Sequence, residues 1–371
     1  LGEKYGGVYT IYFGRNPTVV LYGYDALKEA LLGQAEDFSG RAILPVFARV
    51  ARRKGMVFSN GPHWYQQRKF SLTTLRNFGM GKRSIEERVT EEAKFLVDFF
   101  RSKNGNGLFD SHPGKPFNPG PELTAAVSNV ICSIVFGDRF DTEDKTFQTL
   151  HNMILENLTF LGRLGFQLYN AFPEILRWLP GQHNKIFLNG TMLQEFLGNL
   201  IKNHVKTRDP NCPRDFVDSF LNKIDEEAGN PESHFTIESL TMTTFNLFIA
   251  GTGTTSSTLR WLLKFMMEYP EIQKKVQAEI ENVIGAEKCP SLEHRVSLPY
   301  TDAVIHEAQR YARKRACIGE ALAKTEIFIF FISFLQKFNL KFPPGEKGPI
   351  GLIEGGTRDP KPFTMCAESR I

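Results

Sequence analysis

The sequence has no CxxC pair and no Cys/His spacing of a zinc site; its cysteines, at positions 132, 212, 289, 317 and 366, stand far apart. That excludes a zinc scaffold and suits a reduced compartment in which one thiol has a special task. No stretch reaches the roughly 18 uninterrupted apolar residues of a membrane-spanning helix. The nearest, 327–335, is interrupted by Ser333. Nothing in the sequence given is expected to cross a membrane. It begins at Leu1 rather than Met, so any leader or anchor is expected to lie outside it. There is no internal repeat and no low-complexity tract. The net charge of +4 is too small and too dispersed to argue for nucleic acid.

What is present is an ordinary globular composition with an unusually aromatic core: 42% hydrophobic residues, 23% charged, and 32 Phe. A fold with a large apolar pocket suits that. Length alone, 371 residues, allows two domains or one large helical core. Residues 8–13 and 17–22 are β-branched and aromatic runs joined by Gly14-Arg15-Asn16, which predicts a hairpin. From Asp25 to Leu335 apolar residues recur at spacings of three and four, broken by Pro and Gly clusters at 112–120, 179–181, 210–213 and 342–349. The body is predominantly α. After Phe338, short apolar runs between Pro and Gly predict irregular strands.

Four segments carry chemistry. In His63-Trp64-Tyr65-Gln66-Gln67-Arg68, Trp64 and Arg68 share one helical face, two hydrogen-bond donors side by side that suit a carboxylate. An amphipathic helix with a half-buried Trp is the alternative. The apolar run 245–255 contains Gly251 and Gly253, each costing roughly 1 kcal/mol relative to Ala in a helix interior. Small residues let a flat ligand approach the backbone, and a following threonine can bond the carbonyl four residues back, leaving a polar spot that oxygen could occupy. Close helix packing at the glycines is the alternative. Glu307 and Arg310, three apart, form an ion pair that on its own carries little weight. Cys317 precedes the apolar helix 321–335, and a helix start favours the thiolate form of a nearby cysteine, with Arg315 as an added cation. An inert buried cysteine is the alternative.

In this order the segments resemble the microsomal cytochrome P-450 superfamily, family 2, over nearly the whole chain. The resemblance implies a mainly α cytochrome P450 fold, a helical body with small β-sheets, as a single domain over 1–371. It implies haem b (iron protoporphyrin IX) with Cys317 as the iron ligand and Arg41, Trp64, Arg68 and Arg315 binding the cofactor. Gly319 belongs to the same cysteine loop. It further implies an oxygen site shaped by Ala250, Gly251, Thr254 and Thr255, and a structural ion pair between Glu307 and Arg310. A substrate pocket is expected around Ile43, Phe47, Phe160, Phe245, Phe248 and Ile249. The implied activity is that of a haem-thiolate monooxygenase inserting one oxygen atom from O2 into a lipophilic small molecule such as a fatty acid, steroid or foreign compound. Electrons are expected from NADPH through NADPH-cytochrome P450 reductase, with cytochrome b5 as a further partner, at the cytoplasmic face of the endoplasmic reticulum membrane. Arg49, Arg52, Arg53, Lys54, Arg313, Lys314 and Arg315 could face an acidic electron donor or merely be solvated.

Two departures stand out. Gly253 replaces the acidic residue that the family ties to proton delivery. Only residues 311–316 separate Arg310 from Cys317, where the family has several tens of residues, strands included. Arg310 and Arg313 fall on the phenylalanine and first glycine positions of the cysteine loop, so the two motifs overlap. The expectations are an internally shortened chain that takes up haem poorly and loses cover over its apolar faces at 245–248 and 328–335. The alternative function is a catalytically silent, haem-poor chain that at most binds lipids or partners. A thiol enzyme using Cys317 as nucleophile is disfavoured, because no His with an orienting acid is evident near it.

Overall fold

The structure, a computed structural model, describes residues 1–13, 16–80, 83–103, 115–312, 317 and 319–370. It is mainly helical, and among the described residues the strands form three separate two-stranded antiparallel sheets. β1 (Val8–Phe13) pairs with β2 (Asn16–Leu21), Val8 opposite Leu21, close to the hairpin read from the sequence. β3 (Phe338–Lys341) pairs with β6 (Cys366–Ser369), and β4 (Leu352–Glu354) with β5 (Arg358–Pro360). These are the irregular strands expected of the tail.

The central helix, Ile237–Glu268, organises the body. It starts where the Thr236 hydroxyl accepts the Ser239 N–H at 3.1 Å. It ends just before Pro270, which opens the helix Pro270–Val283. Its two glycines mark close helix approaches. A Cβ on Gly251 would stand 3.1 Å from Ile131 of the helix Gly120–Val135, and Leu158 of the helix Lys145–Phe160 occupies the space beside Gly253. The packing alternative left open by the sequence is therefore realised at both glycines, and tight contact offsets their backbone cost.

The last helix, Glu320–Lys337, is apolar all round and buried over 327–335, with Phe334 stacked on Phe100 at 4.9 Å between ring centroids. This corrects one expectation. The faces at 245–248 and 328–335 do not lose their cover: Phe245 is 4% exposed, Phe248 1%, and Phe328 1%. The helices that cover them, Arg83–Ser102, Gly120–Val135 and Pro270–Val283, all precede the shortened junction. Exposed apolar surface is found elsewhere. The β1–β2 ribbon exposes Val8, Tyr12 and Val19, and neither of its outer edges pairs with another strand among the described residues.

A second, smaller cluster of Val46, Phe160, Phe166, Tyr169 and Ile186 ties the helices Pro45–Ala51, Leu164–Ala171 and Gln182–Thr207 into a cap. Arg49 belongs to it, donating to the Tyr169 hydroxyl at 3.1 Å with its guanidinium 4.2 Å from the Phe187 ring centroid. It thus packs on the cap while remaining exposed. Among the described residues no helix is long and apolar enough to cross a membrane.

Candidate functional site

A cavity of about 850 Å³ is lined by the central helix, the first turns of the helix Gly61–Asn77, Cys317, the start of the last helix and the turn between β4 and β5. That volume is in the range of sites for small molecules and cofactors. It brings together Arg41, Trp64, Arg68, Ala250, Gly251, Thr254, Thr255, Cys317 and Gly319, residues that lie as much as 278 positions apart in sequence.

The cavity lining does not take in Ile43, Phe47, Phe160, Phe245, Phe248 or Ile249. Phe47 and Phe160 pack in the cap, Ile43 is exposed, and Phe245 and Phe248 are in the main core, with Ile249 packed against it. Helical geometry accounts for this on the central helix. Leu247, Gly251 and Thr254 fall on one face at spacings of four and three, which points Phe245 and Phe248 elsewhere. Arg315 lies outside the described residues. Glu307 and Arg310 form a two-point ion pair at 2.7 Å for both bonds, fully at the surface and away from the cavity lining. The hydrogen bond and charge of Arg310 hold the Glu307 carboxyl below its ordinary range, and Glu307 likewise raises Arg310.

Three of the lining side chains, Arg41, Trp64 and Arg68, are hydrogen-bond donors. Arg68 lies 5.7 Å from the centroid of the Trp64 ring. Among the described residues, the side chains of Arg41, Trp64 and Arg68 have no hydrogen-bond acceptor or ion-pair partner. Two guanidinium groups and an indole N–H on one cavity lining, with no acceptor among the described residues, are donors of the kind that bind carboxylates. Cys317 lines the same cavity and is exposed, three residues before the last helix begins at Glu320, in line with its expected place. The lining is small and apolar at Ala250 and Gly251. The Thr254 hydroxyl donates to the Ala250 carbonyl at 2.8 Å, the back-bond expected from the sequence, within a helix that stays continuous. A thiol, three hydrogen-bond donors suited to carboxylates and the small residues Ala250 and Gly251 on one cavity lining fit a haem.

Three features escaped the sequence reading. Asn246 reaches back from the central helix, and its Oδ1 accepts the N–H groups of Met56 and Val57, both at 3.0 Å, fixing the loop that supplies these two residues to the lining. Gly55 takes a φ of 75° there, and a Cβ on it would stand 2.7 Å from that same Oδ1, so glycine is required. A polar Asn inside the apolar run 245–249 was the available signal. The turn at 355–358 is held from the central helix by Trp261, whose indole N–H donates to the Arg358 carbonyl at 2.7 Å, and by Arg260, paired with Asp359 at 2.8 Å. Asn60 grips the backbone of Arg41, donating and accepting at 2.8 Å.

A family model described as Cytochrome P450 matches residues 1–313 and 314–367 as two stretches. Cytochrome P450 2H2 of Gallus gallus is 41% identical over an alignment covering 98% of this chain and 87% of the relative. Cytochrome P450 2C1 of Oryctolagus cuniculus is 49% identical, covering 98% of this chain and 88% of its own. Cytochrome P450 2F2 of Mus musculus is 37% identical, covering all of this chain and 88% of its own. That last alignment runs to 443 positions against 371 residues here, so the relative carries about 70 residues without a counterpart. The break in the family match falls between 313 and 314.

Proposed function

The chain belongs to the cytochrome P450 family of haem-dependent monooxygenases, and on that premise we propose that its cavity would hold haem b, with Cys317 supplying the thiolate ligand of the iron. Arg41, Trp64 and Arg68 would hold the haem carboxylates, and Ala250, Gly251 and Thr254 would line the oxygen site. The observation that carries this reading is the convergence of a free thiol and three donors without acceptors on one cavity. When bound, a thiolate-ligated haem supplies the reductive activation of O2 from which one oxygen atom enters a C–H or C=C bond.

The protein's own residues provide the surroundings. Met56, Val57, Ile131, Leu247 and Leu322 line the cavity with apolar surface that suits a lipophilic substrate such as a fatty acid, a steroid or a foreign compound. The Thr254 hydroxyl, committed as donor to Ala250, keeps its oxygen lone pairs for a water or oxygen species held beside the helix. Residue 253 contributes no proton, being glycine. NADPH-cytochrome P450 reductase, with cytochrome b5 as second partner, is the proposed electron source, at the cytoplasmic face of the endoplasmic reticulum membrane and with the chain acting as one domain. A haem-poor chain that merely binds lipids is the weaker reading, because such a role gives no use to three carboxylate donors beside a thiol.

The test is turnover of hemin-reconstituted protein with reductase and NADPH on a panel of lipophilic compounds under isotopically labelled O2. The reading expects products carrying one labelled oxygen atom. NADPH consumption without any labelled product from a haem-loaded protein would contradict it.

A further inference from the structure

We infer that Asn60 is a positioning residue, clamping the backbone of Arg41 so that its guanidinium is preset at the cavity lining. The inference rests on the proposed binding of haem carboxylates by Arg41, Trp64 and Arg68.

Asn60 occupies the residue before the helix Gly61–Asn77, where an asparagine side chain ordinarily accepts a hydrogen bond from an N–H two or three residues ahead. Here it makes no such bond. Its Oδ1 instead accepts the Arg41 N–H, and its Nδ2 donates to the Arg41 carbonyl, both at 2.8 Å. One side chain thus satisfies both polar groups of one residue's backbone across 19 positions of sequence. Two donors and two acceptors also fix which end of the amide is oxygen. Gly61, next in the chain, takes a left-handed φ of 64°, a conformation that glycine allows at little cost, and the helix starts there with Asn60 turned toward Arg41.

Arg41 needs such a hold. It lies in the irregular stretch 40–44, and among the described residues these two bonds are the only ones its backbone makes. Trp64 and Arg68 sit one and two turns into the helix that Asn60 precedes. The clamp therefore brings Arg41, from a separate segment, into register with two donors on a rigid element. A long, exposed arginine on a loose segment loses more freedom on binding an anion than one whose backbone is already fixed.

The experiment is titration of the apoprotein with hemin, followed by the Soret band, for wild type, Arg41→Ala, Asn60→Ala, Asn60→Ser and the Arg41→Ala/Asn60→Ala pair. Serine is a good helix cap but too short to grip both backbone groups, so it separates clamping from capping. The inference expects Asn60→Ala and Asn60→Ser each to weaken hemin binding about tenfold, and the pair to bind no worse than Arg41→Ala alone. Wild-type affinity in Asn60→Ser, or additive losses in the pair, would overturn the clamp while leaving the haem reading intact. Should Asn60→Ala not fold, Asn60→Ser decides the matter. No loss in Arg41→Ala would instead overturn the assignment of Arg41 to the haem carboxylates, and the clamp with it.

Discussion

Leu158 fills the space beside the central helix that a side chain at Gly253 would need. The resemblance to the family leads one to expect an acidic side chain at 253; here a side chain at that position requires the end of Leu158 to move. The Leu158 backbone is itself pinned, its carbonyl accepting the Gly356 N–H at 2.7 Å, so the leucine sits between the central helix and the cavity-lining turn. Reinstating the acid by Gly253→Glu therefore requires the Leu158 side chain to change its packing.

The contact gives a signed stability prediction. Alanine in place of a mid-helix glycine is worth roughly 1 kcal/mol in propensity, whereas forcing an extra group into a packed contact costs about 1 to 3 kcal/mol. In the native background Gly253→Ala should therefore be neutral or destabilising. In a Leu158→Ala background the same change should stabilise by roughly 1 kcal/mol. Urea unfolding of the four proteins checks this, and an equal effect of Gly253→Ala in both backgrounds would show that Leu158 does not hold the space.

His204 supplies a pH prediction. Burial disfavours its charged form, but the hydrogen bonds to Asp215 and the Leu200 carbonyl, with the charges of Asp215 and Asp218, outweigh that and raise its pKa above 6.5. Its Nε2 lies 2.9 Å from Asp215 and its Nδ1 2.9 Å from the Leu200 carbonyl, two acceptors that only a doubly protonated ring satisfies together. A raised folded pKa contributes stability that is complete below about 6.5 and lost as pH rises through the folded value. Asp218, paired with Arg214, has the opposite sign: its pKa is lowered despite burial, and its contribution is lost in acid. Unfolding midpoints should fall as pH rises above 6.5, and His204→Gln should flatten that decline. An unchanged slope in the variant would remove His204 from the account.

The Glu307–Arg310 pair stands in water in this shortened chain. Screened surface pairs contribute little. Glu307→Ala should leave the thermal midpoint of the apoprotein unchanged, and a fall of several degrees would mean that the pair is engaged after all.

Among the described residues the β1–β2 ribbon is an isolated two-stranded sheet, a unit that is marginal in water. Its amides should exchange with deuterium far faster than those of the central helix. Inserting a relative's segment at the 313/314 junction should slow them if that segment covers the ribbon. Protection of the ribbon equal to that of the central helix in the present chain would contradict its isolation.

The sequence revealed most where one residue type has one use. The hairpin of 8–13 with 17–22, the helical body, the tail strands and the placement of Cys317 before a helix all follow from local patterning. The glycines at 251 and 253 were visible as anomalies, but only the three-dimensional neighbours Ile131 and Leu158 show that packing accounts for both. The expected pocket residues Phe245, Phe248 and Ile249 came from a run of chain, whereas the cavity reads one helical face, Leu247, Gly251 and Thr254. The cover expected to be lost at 328–335 is supplied by helices distant in sequence, which patterning within a segment cannot show. Asn60 carried no signal of its own in the sequence, since its partner lies 19 residues away.

The central claim is that Cys317 ligates haem iron in this shortened chain. The most direct measurement is the difference spectrum of the dithionite-reduced, hemin-loaded protein with and without carbon monoxide, for wild type and Cys317→Ala. The account predicts a thiolate-type Soret band in the wild type that disappears in Cys317→Ala and persists when Cys132, Cys212, Cys289 or Cys366 is replaced. A wild-type spectrum without that band, or one that survives Cys317→Ala, would contradict it.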